Sequence, residues 1–317
     1  MIYDCFIFNS ELDLLELRLN FLENHVDYFV LVESKRTLSG NSKPLFFYEN
    51  RSRFNKFKDK IIYLEAPLMP NLPSWEYEYF QRNYIKEGLK ECHPNDIIFL
   101  SDVDEILNLP TILRDACFKL PILIELPVYY YFINLKSNCS YKVNLAANYR
   151  DIKNIPIGDR KSYYKSITQT VLCTSDCKTG WHFSYLFGFN LDKFIEKIES
   201  FSHQEFNNLY YLDKSRILRC IQNGIDLYER YEINYSFKSS EDYAELKPFI
   251  LTSELNNLVF RPSLFTRFNP INIIFRFRIK TLPLIRNIPY TLNKMLLNIL
   301  KVNLNKMKYG IKRGIYK

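Results

Sequence analysis

Glycine is scarce, with eight in 317 residues. Neither G-x-x-x-x-G-K-[ST] nor G-x-G-x-x-G occurs, so a Gly-rich loop cradling phosphates is not expected. Cysteines are seven, an odd number scattered from Cys5 to Cys220. That count argues against a disulfide framework and for a reducing compartment. Cys173 and Cys177 stand four apart with no second pair at metal spacing, which excludes an ordinary structural zinc site. No run of 18 apolar residues exists, and no spanning helix is predicted. The chain starts directly into an apolar strand, without the basic and long apolar regions of a signal peptide. Acids are missing altogether from residues 261–317, which hold 13 Lys and Arg. The remaining body carries 30 basic and 35 acidic residues, so a mildly acidic body precedes a strongly basic arm.

What is present can support a large core. Hydrophobic residues make up 47% and aromatic residues 16%, with 24 Tyr and 25 Phe. Ile2 to Phe8 reads as a first strand. A helix follows from Asn9 or Ser10 to about Asn24, with Asp13 in a capping-box position after Ser10. Leu12, Leu15, Leu19 and Leu22 form its apolar stripe. Tyr28 to Val32 and Lys60 to Leu64 read as buried strands, Ser74 to about Lys90 as a helix and Ile97 to Leu100 as a fourth strand. This alternation predicts a doubly wound α/β sheet. Further on, 111–118 reads as a short helix, Pro121 to Ile133 as bent strand, and Thr179 to Phe187 as a last strand. Asp192 to Phe201 reads as helix, and Asp213 caps another that ends at Gly224. Residues 136–170 show no clear period and read as irregular.

The fourth strand ends in Ser101-Asp102-Val103-Asp104-Glu105. Three acids cannot continue a buried strand, so the chain emerges there. In open α/β sheets, the space beyond the carboxyl ends of the strands is where ligands bind. Asp102 and Asp104 can reach one divalent cation, and carboxylates with diphosphate oxygens suit Mn²⁺ or Mg²⁺. The bare Asp-x-Asp could equally be a solvated turn. His182, between Gly180 and Ser184, is a candidate third metal ligand or a diphosphate donor; the plainer reading is a core histidine beside Trp181. Arg82 shares a helical face with Trp75 and Tyr79, as a phosphate clamp or a snorkelling surface residue. Glu33 and Ser34 end the second strand, where a nucleotide's uracil or ribose could lie or where the chain simply turns.

Several stretches together resemble glycosyltransferase family 17. They are Tyr3-Asp4-Cys5-Phe6 with Asn9, Glu11, Asp13 and Leu14; Val32-Glu33-Ser34 with Thr37; Trp75-Glu76 through Phe80-Gln81-Arg82-Asn83; Leu100 to Glu105; Gly180 to Ser184; and Phe201 to Phe206. They run in the family's order over about residues 1–230. The resemblance implies a GT-A-type mixed sheet flanked by helices, a UDP-GlcNAc donor, a divalent metal and inversion at the anomeric carbon. In that setting Asp102, Arg82, Glu33 and Ser34 would contact the donor, and Asp102, Asp104 and His182 the metal. Inversion by direct displacement needs a general base for the acceptor hydroxyl. Asp176 and Glu205 are the candidates, although Thr174 to Thr179 departs from the family's pattern.

The expected organisation is a glycosyltransferase domain at 1–240, a linker at 241–260 and a basic amphipathic tail at 261–317. Lys294, Lys301 and Lys308 repeat every seven residues in the tail, beside Leu292, Met295, Leu296, Ile299 and Met307. A basic amphipathic helix without acids predicts an anionic membrane surface as partner rather than nucleic acid. The reading is therefore a cytoplasmic, membrane-peripheral enzyme acting on a saccharide or glycolipid acceptor. A sugar-phosphate nucleotidyltransferase and a non-catalytic nucleotide-sugar-binding protein are the rivals.

Overall fold

The structure is a computed structural model. It describes residues 1–260 apart from 116–119, 161–162, 169, 176 and 231, so the basic arm and Asp176 lie outside the described residues. Four strands form the parallel half of a mixed sheet: β1 (Ile2–Ile7), β2 (Tyr28–Glu33), β3 (Ile61–Glu65) and β4 (Ile97–Leu100). They lie in the order β3-β2-β1-β4, each pair parallel. Both faces are buried, which is why these segments read as unbroken apolar runs. Tyr3, Cys5, Val30, Val32, Ile98 and Leu100 pack to one side, and Phe6, Phe29, Leu31 and Phe99 to the other.

The sheet then reverses. β5 (Glu105–Leu107) follows the acidic turn, β6 spans Ile122–Tyr130 and β7 spans Leu135–Asn148. β8 (Val171–Leu172), β9 (Gly180–Ser184) and β10 (Tyr235–Phe237) complete it. β7 pairs antiparallel with both β4 and β6, and the path continues through β9 to β5. The sheet is therefore mixed and flanked by helices, as the family resemblance implies, and not the doubly wound sheet that the strand–helix alternation alone suggests.

Part of the stretch read as irregular is β7, a 14-residue strand. Its period is hidden by register shifts between Ile124 and Glu125 and between Pro127 and Tyr129 of its partner. Each slip breaks the two-residue alternation on which a sequence reading depends.

Four longer helices flank the sheet: α1 (Leu12–Leu22), α2 (Ser74–Tyr84), α3 (Leu191–Ser200) and α4 (Lys214–Asn223). α4 starts and stops as predicted. The Asp213 side chain accepts from the Arg216 backbone N–H, and Gly224 takes the left-handed conformation. α1 has no capping box. Glu11 stands at the cap without a side-chain cap bond, and its carboxylate accepts from the Ser10 N–H instead. Residues 241–260, read from the sequence as a linker, coil into short helical turns. Tyr243, Leu246, Ile250 and Leu255 from this segment are buried in the main core.

α1 buries a charged side chain. Arg18 and Asp4 are both fully buried, and Arg18 forks onto Asp4 at 2.5 and 2.7 Å. Its other N–H groups go to Ser101 Oγ (2.5 Å) and the carbonyls of Asp102 (2.6 Å) and Glu105 (2.9 Å). One guanidinium thus ties β1, α1 and the acidic turn together. Truncating one partner of such a pair leaves an uncompensated buried charge, typically costing about 3–5 kcal/mol. Arg18→Met is expected to lose stability on that scale in urea unfolding. Arg18→Lys should recover little, because an ammonium lacks the planar fork. A loss below about 1 kcal/mol, the level of an exposed pair, would show that the pair is not needed.

Candidate active site

The acidic turn sits at the carboxyl end of β4, on one wall of a cleft of about 550 Å³. Tertiary pairing brings the other groups to it. β5 runs antiparallel to β9, so Glu105 lies opposite His182. That pairing needs Gly180, whose φ is +142° and whose added Cβ would lie 2.2 Å from the Ile106 carbonyl. Arg82 reaches in from α2, Lys197 from α3, and Arg160 from the segment after β7.

Asp102 is gripped by two guanidiniums. Arg82 Nη2 lies 3.1 Å from both its oxygens, and Arg160 Nη1 is 2.5 Å from Oδ2. Burial pushes the Asp102 carboxyl up, but the charges of Arg160 and Arg82 outweigh it and hold it well below the usual carboxylate range. Arg160 also binds Glu105 at 2.7 and 2.8 Å. Glu105 in turn accepts from the Asp102 backbone N–H at 2.7 Å. Asp104 pairs with Lys197, Oδ2 to Nζ 3.0 Å, and Glu11 lies 3.8 Å from the same ammonium. Burial works to strip Lys197 of its proton, but Asp104 and Glu11 keep it charged and raise its pKa.

Asp104 Oδ1, the oxygen turned from Lys197, lies 3.9 Å from His182 Nε2. Two donors that each sit about 2.1 Å from a shared octahedral ion are roughly 3.0 Å apart at a right angle and roughly 4.2 Å apart when opposite, so this pair is within reach of one small cation but at neither spacing. His182 Nδ1 is buried, 4.0 Å from Glu105 Oε1, and has no hydrogen-bond partner among the described residues. Among the described residues no three His, Cys, Asp or Glu side chains converge on one point. Further ligands to such a cation would come from substrate and water. Asp102 stands apart from this pair, its oxygens facing guanidiniums.

The structure does not bring every sequence candidate to the cleft. Glu33 is fully buried behind it and accepts from the Phe47 and Tyr48 backbone N–H groups, with Lys43 at 3.4 Å. Burial raises its pKa. The Ser34 hydroxyl shares a 2.6 Å hydrogen bond with the Tyr77 hydroxyl. Both residues shape the loop that carries Arg36, which does line the cleft. Glu205 is not among the lining residues, but it hydrogen-bonds His203, which is. Arg160, Lys197 and His203 also line the cleft, and no local signal in the sequence singles them out. Arg160 falls in a stretch without a period, and Lys197 reads as the polar face of an amphipathic helix.

Residues 1–248 match the family described as Glycosyltransferase family 17. The chain belongs to that family. Curated relatives named beta-1,4-mannosyl-glycoprotein 4-beta-N-acetylglucosaminyltransferase match over 107 residues, at 30% identity in Homo sapiens and Rattus norvegicus and 29% in Mus musculus. The match spans 31% of this chain and only 20% of each relative's length. A solved structure of HddC from Yersinia pseudotuberculosis is similar with a TM-score of 0.35 at 10% identity, over 58% of this chain and 89% of that one. In this family 17 chain the acidic turn is thus ringed by cations: Arg82, Arg160 and Lys197 all line the cleft.

The depressed Asp102 pKa makes a sign-specific prediction. A carboxylate whose pKa falls on folding contributes stability above its unfolded value, about 3.9, and loses it as pH drops toward the folded value. The stability gap between wild type and Asp102→Asn should be constant above about pH 5 and narrow below about pH 4. Urea midpoints measured across that range check this, and a gap that widens on acidification would refute it.

Proposed function

We propose that this chain is an inverting glycosyltransferase of GT-A type. In this reading it moves GlcNAc from UDP-GlcNAc to a hydroxyl of a saccharide or glycolipid acceptor. The observation that carries it is the set of three cleft cations, Arg82, Arg160 and Lys197, each locked to a carboxylate of the turn Asp102–Glu105. Donor cleavage builds negative charge on the departing diphosphate, and fixed positive groups stabilise it without reorganising. Asp102 and Glu105 hold the two guanidiniums in place before substrate arrives.

Asp104 and His182 would hold a divalent cation, Mn²⁺ or Mg²⁺. When bound, such an ion supplies Lewis-acid neutralisation of diphosphate oxygens. Lys197, on the far oxygen of Asp104, keeps that carboxylate oriented and adds a positive charge beside the leaving group. The names of the curated relatives support GlcNAc as the sugar. On composition alone, the basic stretch 261–317 is assigned to an anionic membrane surface on the cytoplasmic side. Among the described residues no helix is long and apolar enough to cross a membrane.

The test is UDP release from UDP-GlcNAc, with a panel of glycoside acceptors, in Mn²⁺ and in EDTA. Transfer that needs the metal is expected. Asp104→Asn and Arg160→Gln are each expected to lower kcat/KM by about 10²-fold or more, the scale of removing one charge-stabilising group. Sugar 1-phosphate as product would indicate nucleotidyl transfer instead. Donor binding without turnover would indicate a binding protein. Flotation with anionic vesicles, comparing the full chain with residues 1–260, tests the assignment of the basic stretch.

A further inference from the structure

We infer that His203 is the general base that takes the proton of the acceptor hydroxyl, with Glu205 as its positioning residue. The inference rests on the glycosyl-transfer reading and adds the group that activates the nucleophile.

His203 Nδ1 lies 2.6 Å from Glu205 Oε1. Burial would raise the Glu205 carboxyl, but the hydrogen bond from His203 outweighs it and the pKa falls. An ionised carboxylate can only accept, so Nδ1 carries the hydrogen of this bond, and in the neutral ring Nε2 is then the nitrogen that can take a proton. His203 is among the cleft-lining residues, and Glu205 is exposed to solvent beside it. This is the arrangement in which a carboxylate fixes the tautomer of an imidazole base and stabilises the imidazolium that forms.

The segment is held in register with the diphosphate clamp. Ser202 donates its hydroxyl hydrogen to the Glu78 carboxylate, and Glu78 pairs with Arg82 at 2.6 Å. Trp75, on the same helix, meets the His203 ring edge-on at 4.5 Å between centroids. Trp75 and Arg82 are seven residues apart on α2, which is roughly 10 Å along the axis. A sugar ring can lie between them, with its phosphate at Arg82 and the attacking hydroxyl at His203. Trp75 and Tyr79 are partly exposed on this wall and offer ring faces to an acceptor sugar.

Five acids that line the cleft already have partners. Asp102 and Glu105 are bound by guanidiniums, Asp104 and Glu11 share Lys197, and Glu78 is held by Arg82 and Ser202. Asp159 also lines the cleft. Around His203 the packed groups are the rings of Trp75, Phe201 and Phe206. The charged groups facing it are Glu205 on its own segment and, through Ser202, the Glu78–Arg82 pair of α2.

In the step, the acceptor oxygen bonds to the anomeric carbon as the bond from that carbon to the phosphate oxygen breaks. The diphosphate leaves with the bonding electron pair, and the hydroxyl proton passes to His203 Nε2 and then to solvent.

The test uses the full chain with UDP-GlcNAc and methyl glycoside acceptors. His203→Gln should keep UDP affinity by calorimetry while kcat falls about 10²-fold or more, the usual share of a general base. Added imidazole should restore part of the activity of His203→Ala. Glu205→Gln should lower kcat about tenfold while the KM for UDP-GlcNAc stays within about twofold, since Glu205 orients the ring and does not line the cleft. A His203→Gln enzyme within about threefold of wild type, or one that loses UDP binding, overturns the assignment; so does a Glu205→Gln enzyme with unchanged kcat or with its loss confined to the donor KM. A wild type that transfers no sugar removes the glycosyltransferase reading and the base with it.

Discussion

A guanidinium with no exposed surface must satisfy five N–H groups inside the protein or carry a large desolvation cost. Arg18 does so with one carboxylate, one hydroxyl and the carbonyls of the acidic turn. The turn cannot relax toward solvent without stripping Arg18 of its acceptors. That fixes where Asp102 and Asp104 point. It also explains why a charged pair lies under the first strand, where hydrophobic residues would pack more cheaply. The pair orients a backbone segment, a task apolar packing performs with less angular precision.

From that anchor the charges alternate outward. Asp4 holds Arg18, Arg18 holds the turn, the turn holds Arg82, Arg160 and Lys197, and those cations face the cleft. Each cation is positioned by a carboxylate, so little side-chain freedom remains to be lost when an anionic ligand arrives. The same arrangement occupies these acids, and the base proposed above is instead an imidazole at the rim. Acid chemistry and proton chemistry are thereby separated along one helix, with Arg82 at one end of α2 and Trp75 against His203 at the other.

The parallel half of the sheet was legible because its strands are buried on both faces and alternate with helices or loops of ordinary length. The end of β4 was legible for the opposite reason, since three acids after four apolar residues can only mark an exit. β7 was not legible, because two register shifts in its pairing erase the alternation. The turns at 240–258 also escaped, since their buried side chains come from pieces too short to show a helical period. Glu33 and Ser34 stand at the end of β2 but do not line the cleft. A polar strand end can face the cleft or cap a neighbouring turn, and the backbone N–H groups of Phe47 and Tyr48 took Glu33.

By itself the sequence determined the α/β class, the strand that ends at the acids, and the motif order shared with family 17. Those signals are local and depend only on neighbouring residues. Which charges meet was decided by the tertiary structure alone. Arg160 reaches Asp102 across more than fifty residues, and Lys197 reaches Asp104 across more than ninety. No spacing rule relates groups so far apart. Their meeting depends on distant segments returning to the end of β4, and the fold sets that geometry only when the whole chain has closed.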